Sequence, residues 1–295
     1  MSRLKILSFA KNGQLGWELQ RTLAPLGKVI ALDYPEVDFT HPESLRALVE
    51  QTNPDIIVNP AAYTAVDRAE SEPETAYLVN SQSVAVLAQE AAKRRVPFIH
   101  YSTDYVFDGT KGNPYIESDE TNPLNVYGHS KLEGEQAVLE AGGVGIILRT
   151  SWVYSLRQGG FVSKVLQWAR QQETMCIVDD QISGPTSARM LAQATALMIA
   201  KAHLKPYYYL VERAGLYHLA GDGACSRYEW AKAIIALDPK KDEQVVKELL
   251  TAKSIDFPAP AVRPRESVLC CDKFERVFGL RLPMWGNALE MLIEG

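Results

Sequence analysis

Tyr127 and Lys131, four residues apart in Tyr127-Gly128-His129-Ser130-Lys131 and preceded at a distance by Ser102-Thr103-Asp104, have the types and spacing to move a proton. On a helix over residues 124–139, positions i and i+4 lie on one face, so phenol and ammonium can share a pocket. A phenol alone is a poor acid at neutral pH, with a reference pKa of ~10. An ammonium ~4 Å away, at an effective dielectric of ~20, contributes ~4 kcal/mol, or about three pK units towards the phenolate. The expected phenol is therefore close to neutrality and able to exchange a proton with a carbonyl oxygen that Thr103 also hydrogen-bonds. A lone Tyr-x3-Lys is usually just a solvated helix face. The neighbouring elements decide the matter.

A short apolar run, Leu4-Lys5-Ile6-Leu7-Ser8-Phe9, leads into Ala10-Lys11-Asn12-Gly13-Gln14-Leu15-Gly16 and then a helical pattern over 17–23. Strand, glycine turn and helix in that order make a dinucleotide-binding entrance. Gly13 admits a pyrophosphate, Gly16 lets helix and strand approach, and the helix N-terminus faces the negative charge. Ala10 stands where the first glycine is usual, which is tolerable with a negative φ. Asp33 ends a second strand (29–32), where a carboxylate binds an adenosine ribose hydroxyl.

Further apolar strands at 55–59, 97–101 and 144–149 alternate with helical stretches, including a long one over 74–94. Such alternation predicts an α/β fold with a doubly wound parallel (Rossmann) sheet. The loops at Pro60–Thr64, Ser102–Asp104 and Thr150–Trp152 all fall at strand carboxyl ends, the rim where ligands sit in such sheets. After Tyr154 the alternation degrades into helices near 161–170, 190–202 and 227–236, strands near 175–178 and 216–219, and proline-rich connections. We expect a dinucleotide-binding domain over 1–154, with the 175–178 strand attached to its sheet, and a smaller α/β substrate domain over 155–295 that closes the cleft.

Composition narrows the classes. At 295 residues and 46% hydrophobic content the chain can bury a substantial core. The 31 basic and 36 acidic side chains leave a net charge of −5, and no basic run is interleaved with aromatics, so nucleic acid is not an expected partner. Cys176, Cys225, Cys270 and Cys271 lack metal spacing and read as reduced packing residues. The histidines form no ligand pair, and no metal is expected. With an opening apolar run of only about six residues, neither a secretory signal nor a membrane span is expected; the chain reads as cytoplasmic.

These stretches resemble, nearly end to end, the dTDP-4-dehydrorhamnose reductase family of the extended short-chain dehydrogenase/reductases. The likeness rests on Gly13-Gln14-Leu15-Gly16-Trp17-Glu18-Leu19, Asn59-Pro60-Ala61-Ala62-Tyr63-Thr64-Ala65-Val66-Asp67 with Ala69-Glu70, and Tyr101-Ser102-Thr103-Asp104-Tyr105-Val106-Phe107-Asp108-Gly109. Pro123-Leu124-Asn125-Val126-Tyr127-Gly128, Arg149-Thr150-Ser151-Trp152-Val153-Tyr154, Asp180-Gln181 with Gly184-Pro185-Thr186, and Arg263-Pro264 extend it. The resemblance implies reduction of the 4-keto group of dTDP-4-dehydro-L-rhamnose to dTDP-L-rhamnose by NADPH or NADH. By position it implies Tyr127 as proton donor, Lys131 as the group that lowers its pKa and binds the nicotinamide ribose, and Thr103 and Asp104 as sugar contacts. Trp152 would pack against the sugar, and Arg263 would meet the diphosphate. The implied cofactor lining is Gly13, Gln14, Leu15, Asp33, Asp38, Phe39, Ala62, Tyr63, Thr64 and Tyr101, together with Tyr127 and Lys131.

Arg189 stands where some relatives carry a glutamate linked to a magnesium-bridged dimer, so a monomer or weak homodimer without Mg2+ is expected. Asp33 favours the free ribose hydroxyl of NADH and Lys11 the 2′-phosphate of NADPH, which predicts dual use. Plainer roles remain for some residues: Trp152 as core, Arg263 paired with a local carboxylate, Asp67 and Glu70 bracing a helix start. Two other functions compete: a catalytically silent NADP-binding regulatory subunit, and a reductase of another nucleotide 4-keto-6-deoxy sugar. Intact Thr103, Tyr127 and Lys131 favour catalysis.

Overall fold

The computed structural model describes residues 3–157, 159–202 and 205–294. The first part of the chain alternates: β1 (Leu4–Ser8), α1 (Gln14–Leu23), β2 (Gly27–Ala31), α2 (Ser44–Thr52), β3 (Ile56–Asn59), α3 (Val66–Ala69), α4 (Pro73–Tyr77), α5 (Ser83–Arg94), β4 (Phe98–Thr103), α6 (Val126–Glu140) and β5 (Gly145–Thr150). A π turn, Leu78–Gln82, joins α4 to α5, so the long helix expected over 74–94 carries a bulge. The later part contributes β6 (Val153–Tyr154), α7 (Phe161–Ala169), β7 (Thr174–Val178), β8 (Ile182–Ser183), β9 (Thr186–Ser187) and α8 (Ala188–Lys201). It continues with α9 (Pro206–Val211), β10 (Gly215–His218), β11 (Cys225–Ser226), α10 (Arg227–Leu237), β12 (Glu248–Ala252), α11 (Asp272–Phe278) and α12 (Trp285–Glu294).

Six parallel strands form the main sheet in the order β10-β5-β4-β3-β1-β2. The central strands β3 and β4 are buried along their whole length, as the unbroken apolar runs predict for a sheet covered on both faces. One face packs Leu15, Leu19 and Leu23 of α1 with Leu191 and Met198 of α8 and Phe274 and Phe278 of α11. The other packs Leu45 and Val49 of α2, Val84 and Leu87 of α5, and Val138 of α6. The chain reverses direction across the sheet between β1 and β3, the switch point where such folds bind ligands.

The division expected at residue 154 is not how the layers form. β7 pairs with β12 in a separate two-stranded sheet, so the 175–178 strand does not extend the main one. Instead β10, α8 and α11, all from the later part, complete the nucleotide layer. A third core, with Val162, Val165, Met175, Trp230, Ile234 and Leu289, holds α7, α10 and α12 together beside β7.

Candidate active site

At the switch point the turn after β1 enters α1 through Gly13, an extended N-cap with no side-chain cap, which leaves the first amides of the helix for an anion. A Cβ on Gly16 would lie 1.9 Å from the Ala10 carbonyl oxygen, so only glycine allows this approach of helix to strand. Ala10 itself adopts φ +51, a left-handed conformation and not the negative φ expected of it. The alanine therefore replaces the first glycine without changing the turn, at a cost of about 1–2 kcal/mol.

Beside this turn lies a cavity of about 190 Å³ lined by Ala10, Asp33, Asp38, Phe39, Ala61 and Ala62, among others. It has the size and place for an adenosine, and the uncapped helix next to it fits a pyrophosphate. Asp33 accepts from the Asn12 and Tyr34 amides at 2.9 and 2.8 Å, which fixes its carboxylate at the cavity rim. Thr40 holds Asp38 at 2.7 Å and lowers its pKa. Lys11, expected to attract a phosphate, is instead in an ion pair of 2.6 Å with Glu36. Tyr63 is held from both sides: its hydroxyl donates to Glu72 at 2.5 Å, and its amide to Asn80 Oδ1 at 2.8 Å. Its neighbour Thr64 accepts from the Val66 amide at 2.9 Å at the start of α3.

Tyr101 does not line this groove with its side chain. Alternation along β4 sends the ring to the α1/α8 face, where its hydroxyl meets Thr195 Oγ1 at 2.7 Å inside the core. Only its carbonyl faces α6, and it accepts from Lys131 Nζ at 2.7 Å.

Thr103 and Tyr127 come together as expected. Thr103 ends β4, and its hydroxyl contacts the Tyr127 phenol, accepts from the Tyr105 amide at 3.1 Å and donates to Asp104 Oδ1 at 3.1 Å. Tyr127 occupies the first turn of α6, whose N-cap is Asn125, and packs edge-on against Tyr105. The electrostatics differ from expectation. Tyr127 is raised above the ordinary phenol value, burial being the largest cause and the Thr103 bond opposing it. Lys131 does not pull it down. The ammonium is 1% exposed, bonds Tyr101 O and sits 3.2 Å from His100 Nε2, and burial lowers its own pKa to about 8. His100, fully buried and facing that cation, is held well below its usual pKa, so the neutral ring accepts at Nε2.

Asp104, 2% exposed, accepts from Ser267 Oγ at 2.5 Å and Ser183 Oγ at 3.3 Å, and burial raises its pKa to about 6. The carboxylate expected to touch a sugar thus also locks the end of β4 to two segments of the later chain.

A cleft of about 670 Å³ opens against α7 and β7, with Phe161, Trp168, Met175, Val178 and Phe257 as apolar walls; Tyr105, edge-on to Tyr127, meets its cations Arg227 and Arg263. Arg263 lines it and donates to Asp67 at 2.7 Å, so the local pairing considered for it is present and lowers the Asp67 pKa. Arg227, which sequence reading missed, lines it too. Its guanidinium stacks 3.6 Å from the Trp152 ring centroid and interacts with Tyr105, and burial lowers its pKa. Trp152 has φ +41, strained for an aromatic residue, and stacks with Trp230. Asn80, His100 and Asn125 were also missed: each acts through contacts distant in sequence, and only the proximity of Asn125 to Tyr127 hinted at a role.

Arg189 lies 3.8 Å from Glu18 across the α1/α8 packing. Among the described residues no group of potential ligands could hold a metal, the four cysteines are free, and no helix is long and apolar enough to cross a membrane.

Comparison with known proteins supplies independent evidence. The model of the family described as RmlD substrate binding domain matches residues 4–295. A dTDP-4-dehydrorhamnose reductase of Burkholderia thailandensis is 44% identical, with 98% of each chain covered. The enzyme of that name in Escherichia coli K12 is also 44% identical, covering 98% of this chain and 97% of its own. Among solved structures, the dTDP-4-dehydrorhamnose reductase of Bacillus anthracis in complex with NADP is 32% identical, with a TM-score of 0.88 over 99% of this chain and 100% of that one.

Proposed function

The chain belongs to the dTDP-4-dehydrorhamnose reductase family, and from that premise we propose that it reduces the 4-keto group of dTDP-4-dehydro-L-rhamnose to give dTDP-L-rhamnose. The observation that carries the proposal is the Thr103–Tyr127 hydroxyl pair, which Tyr105, packed edge-on against Tyr127, links to Arg227 and Arg263 of the large cleft. When bound, NADPH or NADH supplies the hydride that goes to C4 of the sugar. The amides of Gln14 and Leu15 would hold its pyrophosphate where Gly13, its own amide bonded to Ala10 O, lets the backbone approach, with Asp33, Asp38, Phe39 and Ala62 around the adenosine and Tyr63 and Thr64 following Ala62 in the same loop.

Tyr127 keeps its proton at neutral pH, because burial raises the phenol pKa. It is therefore a donor in the reductive direction, giving that proton to O4 as negative charge develops there. Thr103 would offer a second hydroxyl to the same oxygen on turning from Asp104, to which it donates in this structure. Stabilising charge that appears only during reaction lowers the barrier, whereas equal binding of the ground state does not. Lys131 holds a cation behind Tyr127, kept in place by Tyr101 O and His100. Apolar walls and the cations Arg227 and Arg263 suit the cleft to a base and a diphosphate. Substrate and cofactor are both charged and water-borne, which supports action in the cytoplasm.

The test is oxidation of NADPH, followed at 340 nm, with a panel of nucleotide 4-keto-6-deoxy sugars. We expect turnover highest with the dTDP-4-dehydro-L-rhamnose. No oxidation with any of the panel would favour the silent regulatory reading, and a higher kcat/KM with another sugar would reassign the substrate.

A further inference from the structure

We propose that Asn125 is a positioning residue that couples the substrate cleft to the Tyr127 phenol; this rests on the reductase reading above. The side chain is 3% exposed, and both ends of its carboxamide are used. Oδ1 accepts from the Gly128 amide at 2.8 Å and caps α6 immediately ahead of Tyr127. Nδ2 donates to the Val262 carbonyl at 2.7 Å, across 137 residues of sequence. Val262 precedes Arg263, the cation that lines the cleft.

The stretch from Pro258 to Pro264 contains no strand or helix. Among the described residues its polar fastenings are few. The Ala261 amide reaches Asp67 at 3.4 Å, Arg263 reaches Asp67 at 2.7 Å, and Asn125 holds Val262. Two of these end on one carboxylate. When Arg263 turns to an anionic ligand, Asp67 keeps only the long Ala261 bond, and Asn125 becomes the shortest fastening, the one that keeps the strap in register with α6. A movement of the Arg263 backbone is thereby felt at the helix cap and at Tyr127. Placement matters at this level, because a shift of about 1 Å in a reacting group can cost ~10²-fold in rate.

Asparagine is the residue type that suits both jobs at once. Aspartate and serine cap helices about as well, but neither offers an amide donor to the Val262 carbonyl. The test therefore compares Asn125→Asp and Asn125→Ser with the wild type, as full-length enzyme. Steady-state kinetics with NADPH and the nucleotide 4-keto sugar are combined with hydrogen exchange by mass spectrometry, with and without dTDP. We expect both variants to raise the sugar KM by about tenfold and lower kcat about threefold, with NADPH affinity retained and Tm lowered by only a few degrees, because the cap survives while the Val262 carbonyl loses its donor. Exchange in the 257–264 peptides should accelerate in both variants. Added dTDP should slow exchange at 126–131 in the wild type and in neither variant.

Kinetics within twofold of the wild type, or unchanged exchange at 257–264, would overturn the proposal. So would a larger fall in Tm with exchange faster throughout α6, which would make Asn125 a cap and nothing more. A wild type inert towards the sugar would remove the reductase reading instead. The exchange arm would still decide the coupling, since it needs dTDP binding and no turnover.

Discussion

The Lys131 ammonium shares a helix face with Tyr127 yet closes on the Tyr101 carbonyl, 2.7 Å away, in a pocket that leaves the lysine 1% exposed. Desolvation thus outweighs the through-space attraction that would have made Tyr127 acidic, and both groups shift towards their neutral forms. A phenol that holds its proton suits an enzyme that must deliver one.

Tyr127→Phe should lower kcat by ~10²–10⁴-fold, the usual contribution of a general acid, with NADPH affinity unchanged. Single-turnover rates and fluorescence titration with cofactor measure the two. A variant turning over at near the parent rate would remove Tyr127 from the chemistry.

Lys131→Met should abolish most activity and remove the gain in stability that the wild type makes as the buried ammonium loses its proton at high pH. The sign follows from linkage. The folded pKa of about 8 lies below the reference value of 10.5, so the charged form costs stability fully below pH 8, and the cost is relieved between about 8 and 10.5. Urea unfolding at a series of pH values should show the wild type gaining stability across that window and the variant gaining less. Parallel curves would contradict it.

Asp104 gives the opposite pH signature. Burial raises its pKa from 3.8 to about 6, so its contribution is present below the unfolded value and is lost as pH rises through about 6. The wild type should therefore lose on the order of 1–3 kcal/mol between pH 4 and 6 that Asp104→Asn does not lose. Denaturation midpoints at pH 4, 5 and 6 decide this, and an equal decline in both proteins would mean that another group titrates.

Glu36→Gln should shift cofactor preference towards NADPH. The Lys11 cation is engaged by Glu36, and freeing it leaves a positive charge near Asp33 for a 2′-phosphate. The pair is exposed, so the change in relative kcat/KM should be modest, up to about fivefold. A shift towards NADH would show that Lys11 does not face the cofactor.

Arg227→Met should weaken dTDP binding by ~1.5–3 kcal/mol, the usual worth of a hydrogen bond to a charged group, and leave the NADPH Kd alone. Calorimetric titration with each ligand separates the effects. Loss of cofactor affinity with dTDP affinity intact would reverse the assignment of the two cavities.

The sequence was most legible where chemistry and local geometry coincide. Tyr127 and Thr103 sit on a helix start and a strand end that their own neighbours specify, so their meeting could be anticipated. The Tyr101 side chain was not legible, because strand alternation, which points its ring at Thr195, is set by which helices cover each face. Arg227 carries no motif: it matters because α10 starts beside Trp152, a relation made by tertiary packing alone. The φ of Ala10 was equally hidden, since the residue type argues against the conformation that the turn imposes. The main sheet was foreseen through β5, but the 175–178 strand was attached to it in error, and its actual last strand, Gly215–His218, offers too short a pattern to tell which sheet it joins.

That last strand sets a timetable for synthesis. β5 lacks its neighbour until residue 218 has left the ribosome, and the helices covering one face of the sheet, α8 and α11, arrive over residues 188–278. The nascent dinucleotide half must wait with an open edge and an apolar face that only α1 covers, both hazards for association with other chains. A fragment ending at residue 154 should therefore be sticky and dependent on chaperones, and a premature stop would not leave a smaller working nucleotide binder.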